Sequence, residues 1–171
     1  LQGAVKNCVF FEENCKPESA MLDKIDRKLL NLLQRDASRT NAALAEAVGL
    51  SPSTCLRRVQ RLLREGFVDR IVAILNPARL GRGLKAIVLV ELAEHGEQEQ
   101  RRFLDMAVAE PAVAQAYAVT GRTDVVLTLR LQDMDEFDAL CERLFREGSG
   151  VKRFFTMVVI RTAKEDTSVA L

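Results

Sequence analysis

Four arginines, Arg57, Arg58, Arg61 and Arg64, recur at helical spacing just behind three hydroxyl residues, Ser51, Ser53 and Thr54. A guanidinium bonds carboxylates and phosphates through two parallel N–H groups and can meet a guanine edge in the same way. Hydroxyls and a helix N-terminus suit a phosphate oxygen. No acid interrupts this run from Ser51 until Glu65, so its chemistry is that of a polyanion contact. On the first two turns of such a helix Ser53, Thr54, Arg57 and Arg58 would read base edges. Arg61 and Arg64 lie further along, for phosphate or solvent, and Arg39 could reach backbone from the preceding loop.

Those donors need elements to aim them. Leu44 and Val48 stand four apart beside the small Ala45, and Gly49 comes where a helix must stop. Ser51-Pro52 then starts another helix, a capping hydroxyl followed by proline at the first helical position. Cys55, Val59 and Leu62 form its apolar face, widened by Leu56 and Leu63. The segment Thr40 to Gly66 thus carries the pattern of a helix-turn-helix. The plain alternative is a helical hairpin with a solvated basic face. Upstream, Ile25, Leu29, Leu32 and Leu33 predict an amphipathic helix over Asp23 to Asp36, with Asp23 at its positive end. Three such helices can bury a small core, a winged or trihelical unit over residues 21–66. Phe67 to Leu75 is β-rich and is expected to form a wing or β linker through residue 83, with the boundary at Asn76 to Gly83.

The remainder, 84–171, alternates between two periods. Strands are expected at Leu84 to Leu92, Val113 to Thr120, Asp124 to Leu131 and Val151 to Arg161. Helices are expected at Glu97 to Ala109, around Phe103, Leu104, Ala107 and Val108, and after Asp133, around Met134, Phe137, Leu140, Cys141, Leu144 and Phe145. The order βαββαβ is the split βαβ, ferredoxin-like sandwich, so the fold class is α+β. A sheet covered on one face leaves the other in need of a partner, which predicts dimerisation through this module.

Composition narrows the function classes. The 171 residues are 48% hydrophobic and 29% charged, ordinary for globular protein. No apolar run approaches the roughly 20 residues of a membrane span. The net charge of +1 predicts nothing alone, but its distribution does. Met21 to Glu65 holds nine basic residues against five acidic, an excess of +4, while Asn76 onward holds thirteen against fifteen, or −2. One module is suited to phosphate and the other is not. Cys8, Cys15, Cys55 and Cys141 are scattered and His95 is the single histidine, so no metal site or cofactor is expected and reduced thiols in a cytoplasmic protein account for the cysteines. Glycine loops for phosphate and nucleophile elbows are missing from the sequence, so no catalytic residue is assigned. Met21 opens the first patterned segment, and residues 1–20 are expected to be a flexible arm or sequence foreign to the natural chain.

LDKIDRKLLNLLQRDAS, LAEAVGLSPSTCLRRVQRLLREGFV, AILNPARLG and TGRTDVVLTLR, in that order and at these distances, resemble the Lrp/AsnC family of transcriptional regulators from Met21 to the end. The resemblance implies a homodimer, often assembled into octamers, and binding to double-stranded operator DNA near genes of amino-acid metabolism. It also implies a small amino-acid effector bound between the C-terminal ligand-binding (RAM) and oligomerisation modules of neighbouring subunits, with leucine, methionine or cysteine as the expected ligands. The family's effector lies close to the loop between the second and third strands, here Thr120, Gly121, Arg122, Thr123 and Asp124. Asp124 could pair the ligand ammonium and the backbone N–H groups around Gly121 its carboxylate, or the two are a hairpin turn and its capping residue. Thr156 matches a family position whose hydroxyl could finish the site. Arg122 departs from the common G-D-x-D pattern; it disfavours a basic ligand and could meet a carboxylate, or it points into solvent. A largely non-specific architectural DNA-binding protein is the competing reading of the same fold.

Overall fold

The computed structural model describes residues 21–94 and 96–171, so the expected N-terminal arm, Cys8, Cys15 and His95 lie outside it. The chain divides into two compact units, one running through Val72 and taking in Asp166–Leu171, the other spanning Ala73–Glu165.

The first unit is three helices, α1 (Lys24–Arg35), α2 (Asn41–Val48) and α3 (Pro52–Arg64). Each begins on a side chain that satisfies an otherwise orphaned N–H. Asp23 Oδ1 accepts from Asp26 N at 2.7 Å, and Asp26 Oδ2 accepts in return from Asp23 N at 3.2 Å, a reciprocal capping box. Thr40 and Ser51 cap α2 and α3 through Ala43 N and Thr54 N. Gly49 has φ +70°, the left-handed conformation that ends α2 and lets Leu50 N reach Ala45 O at 2.9 Å. Asn41 Nδ2 donates to Pro52 O at 2.7 Å across this turn. Leu29, Leu30, Leu44, Ala45, Cys55 and Leu62 form the core. Leu56 and Leu63, expected to widen the apolar face of α3, are exposed. The C-terminal segment returns to this unit, where Val169 and the Gln34 side chain exchange two hydrogen bonds of 2.9 Å.

One carboxylate in this core is buried. Asp26 is 1% exposed and meets Arg58 Nη1 at 2.9 Å and Arg61 Nη2 at 2.5 Å, while Asp23 takes Arg58 Nη1 at 2.6 Å. The backbone N–H of Asp26, and then Arg58, hold the Asp23 carboxyl below its ordinary value. Hydrogen bonds to Asp23 and Asp26 raise the Arg58 guanidinium above its own.

The β wing or linker expected over Phe67 to Leu75 does not form. The segment has no regular structure and no ladder, and Ile71, Val72, Ile74 and Leu75 are exposed, Ile74 at 85%. Strand propensity in Ile and Val is realised only beside another backbone, and no described segment of this chain runs alongside.

In the second unit β1 (Leu84–Leu92), α4 (Glu97–Ala109), β2 (Val113–Ala118), β3 (Val125–Leu131), α5 (Met134–Leu144) and β4 (Val151–Val158) follow in the expected order. The last strand ends before the expected Arg161. All pairings are antiparallel, in the spatial order β2-β3-β1-β4. Ala86, Val88, Val90 and Leu92 alternate along β1 and are buried with Phe103, Leu104, Ala107, Leu140 and Leu144 of the helices. Phe145 stacks between Phe103 and Phe154, its ring centroid 6.3 and 4.3 Å from theirs. Val108 and Met134, expected in this core, are exposed. The helix-free face carries Ile87, Leu89 and Glu91 of β1, with Tyr117, Phe155 and Met157 exposed beside them. No described helix is long and apolar enough to cross a membrane.

Asp26→Ala is expected to cost about 2–3 kcal/mol, below the full cost of breaking a wholly buried pair because Arg58 and Arg61 are 27% and 34% exposed and can rehydrate. Urea unfolding followed on the helical signal measures this. Asp23 adds a pH dependence: its folded pKa is lowered, so its contribution is complete above about pH 4 and is lost as pH falls through the lowered value. Asp23→Asn keeps a capping oxygen but removes the titration, and its stability should fall less steeply in acid.

Candidate functional site

The four arginines of α3 divide into two pairs. Arg58 and Arg61 turn toward α1 and are held by Asp23 and Asp26, and Arg61 also approaches Glu65 at 3.7 Å. Arg57 and Arg64 are exposed and have no ion pair among the described residues. Ser53, Arg57, Gln60 and Arg64 follow one another at i, i+4, i+7 and i+11, so they line one exposed strip of the helix. Arg58, expected at a base edge, is therefore committed to the ion-pair cluster with α1, and Arg61 with it. Ser51 Oγ accepts Thr54 N at 3.3 Å as a cap and lies 2.9 Å from Thr54 Oγ1 and 3.2 Å from Ser53 Oγ, so the three hydroxyls form one cluster at the start of α3, with Ser53 exposed. Arg39 lies 3.6 Å from Asp36 in the loop before α2, and both side chains are largely exposed.

The second candidate site is a cleft of about 220 Å³ on the helix-free face of the sheet, lined by Leu89, Glu91, Arg122, Thr123, Arg153 and Phe155. Glu91 opposes Arg153 across the β1–β4 pair and Leu89 opposes Phe155. Glu91 Oε1 accepts Lys152 Nζ at 2.8 Å and Oε2 accepts Arg153 Nε at 2.5 Å. These bonds, that of Lys152 first, hold the Glu91 carboxyl below its ordinary value, so it stays ionised. The Arg153 guanidinium lies 5.7 Å from the centroid of the Phe155 ring, a cation–π contact that fixes its direction.

The residues expected for an effector divide around this cleft. Arg122 and its neighbour Thr123 line it. Thr120 and Gly121 are exposed, and Gly121 has φ +113°, which L side chains rarely adopt. Asp124 is half-buried and bonded into the fold. Its Oδ2 accepts Leu92 N at 2.8 Å, its N–H donates to Val90 O at 2.9 Å, and its carbonyl accepts Gln100 Nε2 at 2.8 Å. It pins the loop to β1 and α4. Thr156 is on the wrong face. It pairs with the fully buried Val88, so it points with Val88 toward the helices, whereas the cleft belongs to the alternate residues Phe155 and Arg153. Its Oγ1 is buried without a hydrogen-bond partner among the described residues. The carboxylate that does line the cleft, Glu91, was available to a parity argument: in LKAIVLVEL it shares the face of Lys85, Ile87 and Leu89, opposite to the buried one. Among the described residues no cluster of acids, cysteines and histidines could hold a metal.

A helix-turn-helix with an exposed basic strip, followed by a separate α+β unit with its own cleft, defines a DNA-binding regulator with a ligand-binding module. Comparison with known proteins agrees on both halves. Residues 22–63 match the AsnC-type helix-turn-helix domain and residues 85–169 the Lrp/AsnC ligand binding domain. The chain is 34% identical over 151 residues to the DNA-binding transcriptional activator DecR of Escherichia coli K12, covering 88% of this chain and 99% of that one. It is 36% identical over 123 residues to the glutamate uptake regulatory protein of Zymomonas mobilis, covering 72% and 75%. Among solved structures, a Neisseria meningitidis transcriptional regulator in complex with L-Met superposes with a TM-score of 0.82 at 33% identity, covering 88% and 97%. An AsnC family regulator from Agrobacterium tumefaciens gives 0.81 at 28% identity, covering 86% and 96%. The chain belongs to the Lrp/AsnC family of transcriptional regulators.

Asp124 as a loop anchor has its own test. Asp124→Ala should leave the Leu92 N–H without its carboxylate acceptor at a residue that is 2% exposed, at a cost of about 1–3 kcal/mol. Amide hydrogen exchange at Leu92 should accelerate accordingly, and an unchanged rate would remove Asp124 from this role.

Proposed function

We propose that this regulator binds specific operator DNA near genes of amino-acid metabolism, in the cytoplasm, and that a small amino acid bound at the cleft beside the 120–124 loop controls it. The observation that carries the DNA reading is the division of labour on α3. Asp23 and Asp26 absorb Arg58 and Arg61, so the helix is fixed in rotation while Ser53, Arg57, Gln60 and Arg64 stay outward. A helix held this way presents Arg57 near its N-terminal end, the part that meets base edges in the major groove. Arg64 and Arg39 suit phosphate.

The effector reading is supported by the chemistry of the cleft. Glu91 can accept an ammonium, Arg122 can donate to a carboxylate, and Leu89 and Phe155 offer apolar surface to a side chain. The volume, below the roughly 300 to 1,000 Å³ usual for drug-sized ligands, suits a molecule the size of an amino acid. The Neisseria relative, solved with L-Met, lends the same class of ligand, and leucine and cysteine are the other expected candidates. A homodimer, with further assembly to an octamer, is the form in which this protein acts. The helix-free sheet face, with Tyr117, Phe155 and Met157 exposed, is the surface that such assembly would cover, so the effector in the cleft would be held between the C-terminal modules of neighbouring subunits.

Footprinting on genomic DNA tests the regulatory reading. Discrete, regularly spaced protected sites are expected, and uniform coating of any sequence would replace it with an architectural role. On such a site Arg57→Ala should weaken binding by about 1–3 kcal/mol while affinity for random DNA falls far less. Equal losses on both would assign Arg57 to phosphate.

A further inference from the structure

The charges around the cleft do not balance. Among the described residues Glu91 is its one lining carboxylate, and both of its oxygens are already engaged, Oε1 by Lys152 at 2.8 Å and Oε2 by Arg153 at 2.5 Å. Arg122 also lines the cleft, is exposed, and has no hydrogen bond or ion pair among the described residues. Two cations, Arg122 and Arg153, therefore line the cleft against one anion, Glu91, a lining charge of +1. A zwitterion with an apolar side chain brings no net charge and leaves that excess unchanged. It also offers a single carboxylate to two arginines that line the same space.

We propose that the cleft selects an effector of net negative charge, an α-amino acid with a second carboxylate, and that Arg122 is the residue that sets this selectivity. The inference rests on the effector reading above and specifies its ligand class. Its ammonium would meet the remaining lone pairs of Glu91, a carboxylate having about four acceptor sites of which the two cations take only part. One ligand carboxylate would meet Arg153, whose guanidinium is already oriented by Glu91 and the Phe155 ring. The other would meet Arg122. A planar guanidinium donates two parallel hydrogen bonds to a carboxylate, which a neutral side chain cannot reproduce. The loop geometry favours this division. Asp124 and Gln100 fix the base of the loop, and Gly121, at φ +113°, turns the backbone just before Arg122.

Isothermal titration calorimetry on the full chain, with L-glutamate, L-aspartate, L-leucine, L-methionine and L-cysteine at one ionic strength, decides the matter. Glutamate or aspartate should bind about tenfold or more tightly than any neutral amino acid, the size of a charge-assisted hydrogen bond. Arg122→Gln, a change at an exposed loop position, should bring acidic and neutral ligands close to parity. A neutral amino acid bound more tightly than both acidic ones would overturn the inference and leave the effector reading standing. An acidic preference that persists in Arg122→Gln would overturn the assignment to Arg122. If none of the five binds, the effector reading fails and this inference fails with it.

Discussion

A buried carboxylate held between two arginines sets the geometry of the DNA-binding unit. Asp26 is sealed under α1 and α3, and its two oxygens meet Arg58 and Arg61 one turn apart along the recognition helix. Compared with apolar packing of the same volume, such a cluster adds little net stability, because three charges lose water to form it. Its contribution is angular. Rotating α3 about its axis would strand a charge in the core, which costs far more than shifting a leucine within a leucine core. The Asp23–Asp26 capping box ties the same carboxylates to the start of α1. The start of one helix and the rotation of another are thereby set by two side chains.

The effector unit depends on parity in the same way that the DNA-binding unit depends on rotation. Along β1 the even-numbered residues Ala86, Val88, Val90 and Leu92 enter the core, and the odd-numbered Leu89 and Glu91 form the floor of the cleft. The antiparallel register then dictates which residues of β4 join them. Phe155 and Arg153 do, and Thr156, one step away, falls on the other side. A polar side chain at Glu91 is tolerated in a strand of aliphatic residues because that face has no helix over it, and Lys152 and Arg153 compensate its charge.

The sequence made the elements legible where a single segment contains its own cause. Helix starts at Asp23, Thr40 and Ser51 follow from capping chemistry, and the alternation in LKAIVLVEL gives β1 to the residue. The roles of adjacent arginines were not legible. Arg57 and Arg58 differ by one step of about 100° around the helix, and only the position of α1, more than thirty residues earlier, decides which of them finds a carboxylate. Thr156 failed for a related reason, since the face of a residue on β4 is set by pairing with β1 and not by its own neighbours. The apolar run Phe67 to Leu75 has the composition of a strand, but a strand is a property of two backbones.

The 120–124 loop shows both effects within five residues. Asp124 has the residue type expected of a ligand-binding acid, yet its carboxylate satisfies a buried backbone N–H, so its role is to hold the loop in place. Arg122, two residues earlier, makes no such bond among the described residues and lines the cleft. Anchoring the loop and lining the cleft thus fall to different residues of one short turn. A substitution at Arg122 changes the charge offered to a ligand without removing a hydrogen bond that the fold needs, whereas a substitution at Asp124 perturbs the loop whatever the ligand is. The charge at the tip of the loop can therefore be altered while the sheet beneath it stays the same.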